Sequence, residues 1–223
     1  MTDLNDNEKE LVPTRVSLLR HGEHALGQAV CGVTDPELSE KGWGQLTNQI
    51  DSLLRLDKQW DICVSSPRIR CAAFGSHVSK QLNIELVIND SLCEIDFGEW
   101  EGLTGVQIEA SYPGQWQQWL DNPDDPAPHG GESYGLFQQR ILDGWSQLVS
   151  QYQGKRILLL SHSGVMRAIL ANVLGLDTTG LFRFNVPHAC HSQVSVYHLS
   201  GHPDWFQLDQ HNSDCSNPGL RGG

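Results

Sequence analysis

Short apolar runs that end in polar turns alternate with amphipathic segments along this chain, and this alternation restricts the fold more than any other feature. The spacing of apolar positions predicts strands at residues 16–19, 61–65, 84–88, 156–161, 193–198 and 205–209. It predicts helices at residues 39–56, 67–82, 132–153 and 163–174, and a helical stretch at 104–121 that breaks near residues 113–114. Strands that alternate with helices indicate an α/β protein, and we expect a three-layer α/β/α sandwich with a largely parallel central sheet.

The length and the absence of internal repeats indicate how the chain is organised. A chain of 223 residues can bury a sizeable core, and no low-complexity linker divides it. We therefore expect a single domain over residues 1–223, with a core from about residue 14 to residue 212 and a loose tail at each end. Residues 122–131, which hold three prolines, are expected to form a loop.

The charge balance excludes several classes of partner. The chain has 15 Lys and Arg against 27 Asp and Glu, a formal net charge of −12. An acidic chain is a poor match for nucleic acid or for an anionic membrane surface, since both bind clustered cations. The first residues lack a basic start and an apolar stretch, and the aliphatic run at residues 157–160 is too short to span a bilayer, so we expect a cytoplasmic protein.

The cysteines and the histidines near the end of the chain do not indicate a metal site. None of the six cysteines forms a C-x-x-C pair, so we expect free thiols in a reducing compartment. His188 and His191 are three residues apart, which is not a helical i, i+4 pair, and no carboxylate partner is evident, so we predict no metal and no cofactor. The residues concerned are Cys31, Cys63, Cys71, Cys93, Cys190 and Cys215, and His188, His191, His198 and His202.

Polar side chains lie where the predicted strands end. The first strand runs into Arg20-His21-Gly22-Glu23, and the strand near residue 160 runs into Ser161-His162-Ser163-Gly164. The second and third strands lead into residues 65–70 and 92–102, which supply further arginines and carboxylates. In open α/β sheets the active site lies beyond the carboxyl ends of the strands, so we expect these groups to meet there. Histidine as nucleophile, arginines for the oxyanion and a carboxyl as proton donor suit phosphoryl transfer without a metal.

Five motifs in sequence order resemble those of the histidine phosphatase superfamily, which has the phosphoglycerate-mutase-like fold. The motifs span residues 16 to 165. They are Leu19-Arg20-His21-Gly22-Glu23, Ser65-Ser66-Pro67-x-x-Arg70, Glu94-x-x-Phe97-Gly98-x-Trp100-Glu101-Gly102, Gly131-Glu132-Ser133 and Ser161-His162-Ser163-Gly164.

The resemblance implies a role for each of five residues. His21 would become a phosphohistidine, and Arg20, Arg70 and His162 would hold the phosphoryl oxygens. Glu94 would protonate the leaving group and then activate water. The partner would be a small-molecule phosphate ester, and the activity that of a metal-independent phosphomonoesterase.

Other positions are expected to contact substrate. Glu132 and Ser133 would line the mouth of the pocket, and Ser163 follows His162 directly. His24 stands where the family usually has Thr or Ser, and its ring is expected to contact the phosphate or its neighbours. The family often has Asn at the position of Gly27, and Gln28 is a substitute donor.

Some residues near these motifs have two readings. Asp96, Glu99 and Glu101 lie close to Glu94, and the match to the family's motif selects Glu94. We expect Arg68 to face solvent and Arg167 to pair with a surface carboxylate. The aromatic residues Tyr112, Trp116 and Trp119 are equally compatible with a lid over an apolar substrate and with a core.

Within the superfamily the chain most resembles the α-ribazole-5′-phosphate phosphatases of cobalamin nucleotide-loop assembly. The interval from Glu94 to His162 is 68 residues and lacks the long insertion of phosphoglycerate mutases. The stretches at residues 130–140 and 182–190 are also similar. The alternatives are a phosphoglycerate mutase, a broad-specificity sugar or small-molecule phosphatase, and a catalytically weak binding module. The oligomeric state stays open, with a homodimer among the options.

Overall fold

One mixed sheet of six strands lies at the centre of the structure, a computed structural model in which residues 12–123 and 130–212 are described. The strands are β1 (Thr14–Arg20), β2 (Ile62–Ser65), β3 (Glu85–Ile88), β4 (Arg156–Ser161), β5 (His191–Tyr197) and β6 (Trp205–His211). Their order is β3-β2-β4-β1-β5-β6. Strands β1 to β4 are parallel. Strand β5 pairs antiparallel with β1, and β6 pairs antiparallel with β5 at the edge of the sheet. The predicted tails, the middle of the predicted loop and Cys215 lie outside the described residues.

Helices cover both faces of the sheet, which confirms the predicted fold class. They are α1 (Glu40–Arg55), α2 (Ile69–Leu82), α3 (Gly105–Ser111), α4 (Gln115–Asp121), α5 (Tyr134–Gln151) and α6 (Ser163–Leu174). Neighbouring side chains of a strand point to opposite faces. Leu18 of β1 accordingly packs in the hydrophobic cluster that contains α5 and α6, and Leu19 packs in the cluster that contains α1 and α2.

Local signals explain most helix boundaries, and two starts differ from the prediction. Gly175 takes the left-handed conformation that ends α6. Ser133 caps α5 through a hydrogen bond from the backbone N–H of Leu136, so α5 begins at Tyr134 and not at Glu132. Helix α2 begins at Ile69, two residues after Pro67.

No helix within the described ranges combines the length and the apolar character needed to cross a bilayer.

Candidate active site

The parallel pairing of β1 with β4 brings the two motif histidines together. Arg20 lies opposite Ser161 in the register, and the backbone N–H of His21 donates to the Ser161 carbonyl at 2.9 Å. The residues that follow the two strands are therefore neighbours. The ring centroids of His21 and His162 are 5.2 Å apart, in an edge-to-face arrangement.

The surroundings of His21 set its tautomer and its charge. Its Nδ1–H donates to the Gly22 carbonyl at 2.7 Å, because a carbonyl oxygen can only accept, and this leaves Nε2 with a free lone pair. Burial, followed by the nearby Arg20 and Arg70, holds the pKa of His21 well below its ordinary value. His21 is thus neutral and nucleophilic near neutral pH. A Cβ at Gly22 would collide with the backbone of Gly42, so the turn after the histidine requires glycine.

Two arginines, the half-buried Arg20 and the buried Arg70, lie beside His21 and keep donors available. Arg20 donates from Nη1 to the Val186 carbonyl at 2.7 Å. Arg70 is fully buried and donates to the carbonyls of Cys31 at 2.6 Å and Thr34 at 3.1 Å. In the described part of the chain, the buried Nε–H of each arginine has no hydrogen-bond partner. Unpartnered buried donors are costly, and a tetrahedral anion in the pocket would satisfy them.

His162 is held at the start of α6. Its Nε2 hydrogen-bonds to Ser66 Oγ at 2.7 Å, and the Cys71 sulfur lies 3.8 Å from the same nitrogen. Burial, then the positive charge of Arg70, lowers the pKa of His162 well below its ordinary value. Cys71 therefore lies directly against the second motif histidine.

Glu94 is buried against the first turn of α6. Its Oε2 accepts from the Gly164 N–H at 3.0 Å, and its Oε1 accepts from the Ile95 N–H at 3.1 Å. Burial raises the pKa of this carboxyl above its ordinary value in spite of those hydrogen bonds. A Cβ at Gly164 would collide with Oε1, so glycine is needed at this contact.

The neighbouring carboxylates of Glu94 have structural roles. Asp96 accepts from the Gly98 N–H at 2.8 Å. Glu101 accepts from the backbone N–H groups of residues 32, 33, 34 and 97, and so shapes the loop whose carbonyls hold Arg70. Of Glu94, Asp96, Glu99 and Glu101, Glu94 is the one that lines the same pocket as His21. This position agrees with the choice of Glu94 by motif.

The pocket above His21 has a volume of about 320 Å³, a polar floor and an apolar wall. Arg20, His21, Glu94 and three further predicted residues (His24, Gln28 and Ser163) lie in its lining. The wall consists mainly of aromatic and aliphatic side chains. These are Ile95, Phe97, Trp116, Trp119, Leu120, Tyr134, Phe137, Leu181 and Phe182. Trp116 and Trp119 both line the pocket, as the lid interpretation expects. Trp119 is also buried against Trp100, as the core interpretation expects.

Glu132 and Ser133, which were expected at the mouth of the pocket, are not among the residues that line it. Ser133 is occupied as the cap of α5. Glu132 forms a two-pronged ion pair with Arg140, at 2.8 and 3.1 Å, in a shallow depression on the other side of Glu94. Arg68 is half-buried in that depression and does not simply face solvent.

Arg167 is a pocket residue that the sequence reading missed. Its Nη1 donates to the carbonyls of Leu181 at 2.5 Å and Phe184 at 2.6 Å. The guanidinium carbon lies 5.1 Å from the ring centroid of Phe182. The prediction of a surface ion pair is wrong, because this face of α6 packs under the segment at residues 181–184. The aromatic residues of that segment can be recognised in the sequence, but their contact with Arg167 cannot.

His188 is a further polar lining residue that the sequence reading did not place at the site. Its ring centroid lies 5.7 Å from that of His21. No cluster of three or more His, Cys, Asp or Glu in residues 12–123 and 130–212 has a geometry that suits a metal ion. The five cysteines within the same ranges are free thiols.

Comparisons with known proteins agree with the geometry. Residues 16–212 match the model of the family described as the histidine phosphatase superfamily (branch 1). Phosphoserine phosphatase 1 of Hydrogenobacter thermophilus is 27% identical over 185 residues, 82% of this chain and 86% of that protein. The adenosylcobalamin/alpha-ribazole phosphatase of Salmonella typhimurium is 26% identical over 184 residues, 82% of this chain and 90% of that protein.

A solved structure shows the same similarity in three dimensions. The structure of a mycobacterial glucosyl-3-phosphoglycerate phosphatase in complex with VO3 has a TM-score of 0.78 and 26% identity, and the match covers 90% of this chain and 99% of that one. Mycobacterial relatives at 31% identity over 187 residues are longer, and the chain spans 51% of their length.

Proposed function

Because the chain belongs to the histidine phosphatase superfamily, we propose that it hydrolyses small phosphate monoesters through a phosphohistidine formed on His21. One observation carries the proposal. A buried neutral histidine with a free Nε2 lies beside Arg20 and Arg70, whose buried Nε–H groups lack partners among the described residues, and this histidine shares a pocket with a carboxyl of raised pKa. This combination supplies a nucleophile, an oxyanion site and an acid.

In the first proposed step, Nε2 of His21 attacks phosphorus. The P–N bond forms as the ester P–O bond breaks, and Glu94 gives its proton to the leaving oxygen, so the alcohol departs neutral. Arg20, Arg70 and His162 donate to the phosphoryl oxygens as their charge redistributes. Fixed donors in a buried site stabilise such charge without reorganising, which lowers the barrier.

In the second step, water attacks the phosphohistidine and passes a proton to the Glu94 carboxylate. The P–N bond breaks, inorganic phosphate leaves and His21 returns to its neutral form. The protons balance over the cycle, because Glu94 gives one to the alcohol and regains one from water. The cycle requires neither a metal nor a cofactor.

We propose α-ribazole 5′-phosphate as the substrate within this class. The aromatic wall supports this choice, because the benzimidazole of α-ribazole is flat and apolar and can stack on indole and phenyl rings. Phosphoserine and glucosyl-3-phosphoglycerate, which the names of two relatives mention, have polar leaving groups. They are the competing substrates.

A substrate panel tests the proposal. Phosphate release is measured with α-ribazole 5′-phosphate, phosphoserine, glucosyl-3-phosphoglycerate and 3-phosphoglycerate, and kcat/KM is expected to be highest for the first. The 3-phosphoglycerate reaction is also run with 2,3-bisphosphoglycerate, where isomerisation faster than phosphate release would identify a mutase instead. The absence of phosphate release from every ester would contradict the phosphatase function itself.

A further inference from the structure

Two histidines that the proposed mechanism does not use flank His21 in the pocket. The ring centroids of His24 and His188 lie 5.9 and 5.7 Å from that of His21, and 6.4 Å from each other. Both side chains line the pocket. An anion bound at Nε2 of His21 would therefore lie beside both rings.

His188 is positioned by a tight turn that is tied to the end of β1. The Ala189 N–H donates to the His21 carbonyl at 3.2 Å, and the Arg20 side chain donates to the Val186 carbonyl at 2.7 Å. Ala189 holds a positive φ of 55°, which a residue with a side chain adopts only when its surroundings enforce it. The His188 ring is thus part of a preorganised wall.

His24 is buried with an unused polar atom. Its side chain is 5% exposed, and its Nδ1 has no hydrogen-bond partner among the described residues. A buried ring nitrogen without a partner is unfavourable, because it has lost its hydrogen bonds to water. In a pocket that suits an anion, a bound ligand would supply the missing partner.

The charges around the pair keep both rings neutral in the free protein. Burial lowers the pKa of both rings to about 4, and the next largest cause is the positive charge of Arg70 and Arg20 for His24 and of Arg20 for His188. A bound dianion would offset that positive charge, and an opposite charge at short range favours the protonated imidazole. The charged and titratable groups that face the pair are Arg20, His21, Glu23, Lys41 and Arg70.

We propose that His24 and His188 together take up a proton from solvent when a tetrahedral dianion binds beside His21, and that the protonated ring then donates a hydrogen bond to this anion. The inference rests on the proposed function, since it requires the anion site at His21. It makes anion affinity fall as pH rises, because release of the anion becomes coupled to release of a proton. It also assigns a use to His24, which stands where the family usually has a hydroxyl.

Calorimetry with sulfate tests the proposal, because sulfate is a dianion that does not titrate between pH 5 and pH 8. Binding is measured at pH 6 in two buffers of different ionisation enthalpy, which gives the number of protons taken up. We expect uptake approaching about one proton per sulfate in the unaltered protein. Uptake should fall by about half or more in the His24→Gln, His188→Gln double variant.

Two controls isolate the pair. His77→Gln removes an exposed histidine of α2 and should leave proton uptake unchanged. Glu94→Gln removes a titratable carboxyl of the same pocket whose protonation also favours anion binding, and the uptake that depends on the pair should persist in it. Ring-nitrogen NMR of the unaltered protein, with and without sulfate, gives the same information should the double variant fail to fold.

The outcomes separate this inference from the proposed function. Sulfate binding without proton uptake, or with uptake equal in the double variant, overturns the proton coupling alone. Failure of sulfate to bind the unaltered protein at all overturns the anion site and the phosphatase proposal with it.

Discussion

At the scale of single residues, the site depends on which side-chain nitrogens already have a hydrogen-bond partner and which do not. His21 uses one ring nitrogen for a backbone carbonyl, and Arg20 and Arg70 use their terminal nitrogens for carbonyls. These bonds orient the side chains and leave the remaining nitrogens for a ligand. Preorganised donors of this kind are what phosphoryl transfer requires, because most of its catalysis is positioning and charge stabilisation.

The covalent role of His21 gives a direct prediction. Rapid quenching without acid, after mixing with a phosphate ester labelled in the phosphoryl group, should leave label on His21. His21→Ala should trap none and lose about a thousandfold or more in kcat. His77→Ala, which removes an exposed histidine, is the matched control and should trap label normally. Full activity of the His21→Ala protein would exclude the proposed mechanism.

The pKa directions of His21 and Glu94 predict a bell-shaped pH profile of kcat/KM. His21 must be neutral, and because its pKa is lowered, the rate should decline only at distinctly acidic pH. Glu94 must be protonated, and because its pKa is raised, this requirement is met up to a higher pH than for an ordinary carboxyl. The optimum should therefore lie on the acidic side of neutral, and Glu94→Gln should lose the alkaline limb. A profile that is flat from acid to alkaline pH would contradict these assignments.

At the scale of elements, the site results from where β1, β4 and α6 end or begin. The register of β1 with β4 places His21 beside His162, and the first turn of α6 supplies the N–H that binds Glu94. Gly164 lets the carboxyl lie directly on the helix backbone.

Gly164→Ala should displace Glu94 while leaving the anion site in place. A shift of about 1 Å in a catalytic group can cost about a hundredfold in rate. We expect kcat to fall by that order for an alkyl phosphate, whose leaving group needs a proton. It should fall much less for p-nitrophenyl phosphate, whose leaving group does not.

Gly135→Ala is the matched control, because a Cβ at Gly135 meets no atom within 4 Å. Equal losses with both esters would argue against a proton-donating role for Glu94.

The aromatic wall contributed by α4 predicts a selective effect on KM. Trp116→Ala removes one flat face of the pocket, and a lost aromatic contact costs about 1 kcal/mol. The KM for α-ribazole 5′-phosphate should rise about five- to tenfold. The KM for phosphoserine should change little. Trp205→Ala, at a tryptophan that is 63% exposed on β6, is the control. Equal changes in KM for the two esters would show that the wall does not select the leaving group.

At the scale of the whole molecule, a net charge of −12 coexists with a cationic pocket. Arg20 and Arg70 lie beside His21, and Arg167 lies in the wall near Glu94. The field near His21 is thus opposite in sign to that of the molecule as a whole. The acidity disfavours a polyanion spread over a broad surface, but it does not disfavour one phosphate in a small pocket.

Buried neutral histidines should also make the stability of the fold sensitive to acid. His191 of β5 is 1% exposed, neither ring nitrogen has a partner in the described residues, and burial lowers its pKa to about 4. The unfolded chain binds a proton at this residue below about pH 6.5 and the folded chain does not. Stability should therefore fall as pH decreases from about 6.5 towards 4.

His191→Leu removes this proton linkage and a buried unpartnered group. We expect the variant to be more stable at neutral pH by about 1 kcal/mol or more, with a larger advantage at pH 5. Thermal unfolding of both proteins across this pH range measures the effect. An equal difference in Tm at pH 7 and pH 5 would contradict the proton linkage at His191.

The sequence by itself determined the fold class, the order of the elements and the motif residues at the strand ends. Apolar periodicity and capping residues act over a few neighbouring positions, so they can be recognised without the fold. The resemblance to the histidine phosphatase superfamily, first indicated by the motifs, is confirmed by the match over residues 16–212.

Tertiary structure alone decided which side chains share the pocket. Glu132 and Ser133 follow the same motif logic as Ser163, which lines the pocket, yet one pairs with Arg140 and the other caps α5. Arg167 and His188 carried no local signal, because they enter the pocket through packing between segments that are distant from β1 in the sequence. Those contacts depend on the distances between separate segments, which only the folded chain establishes.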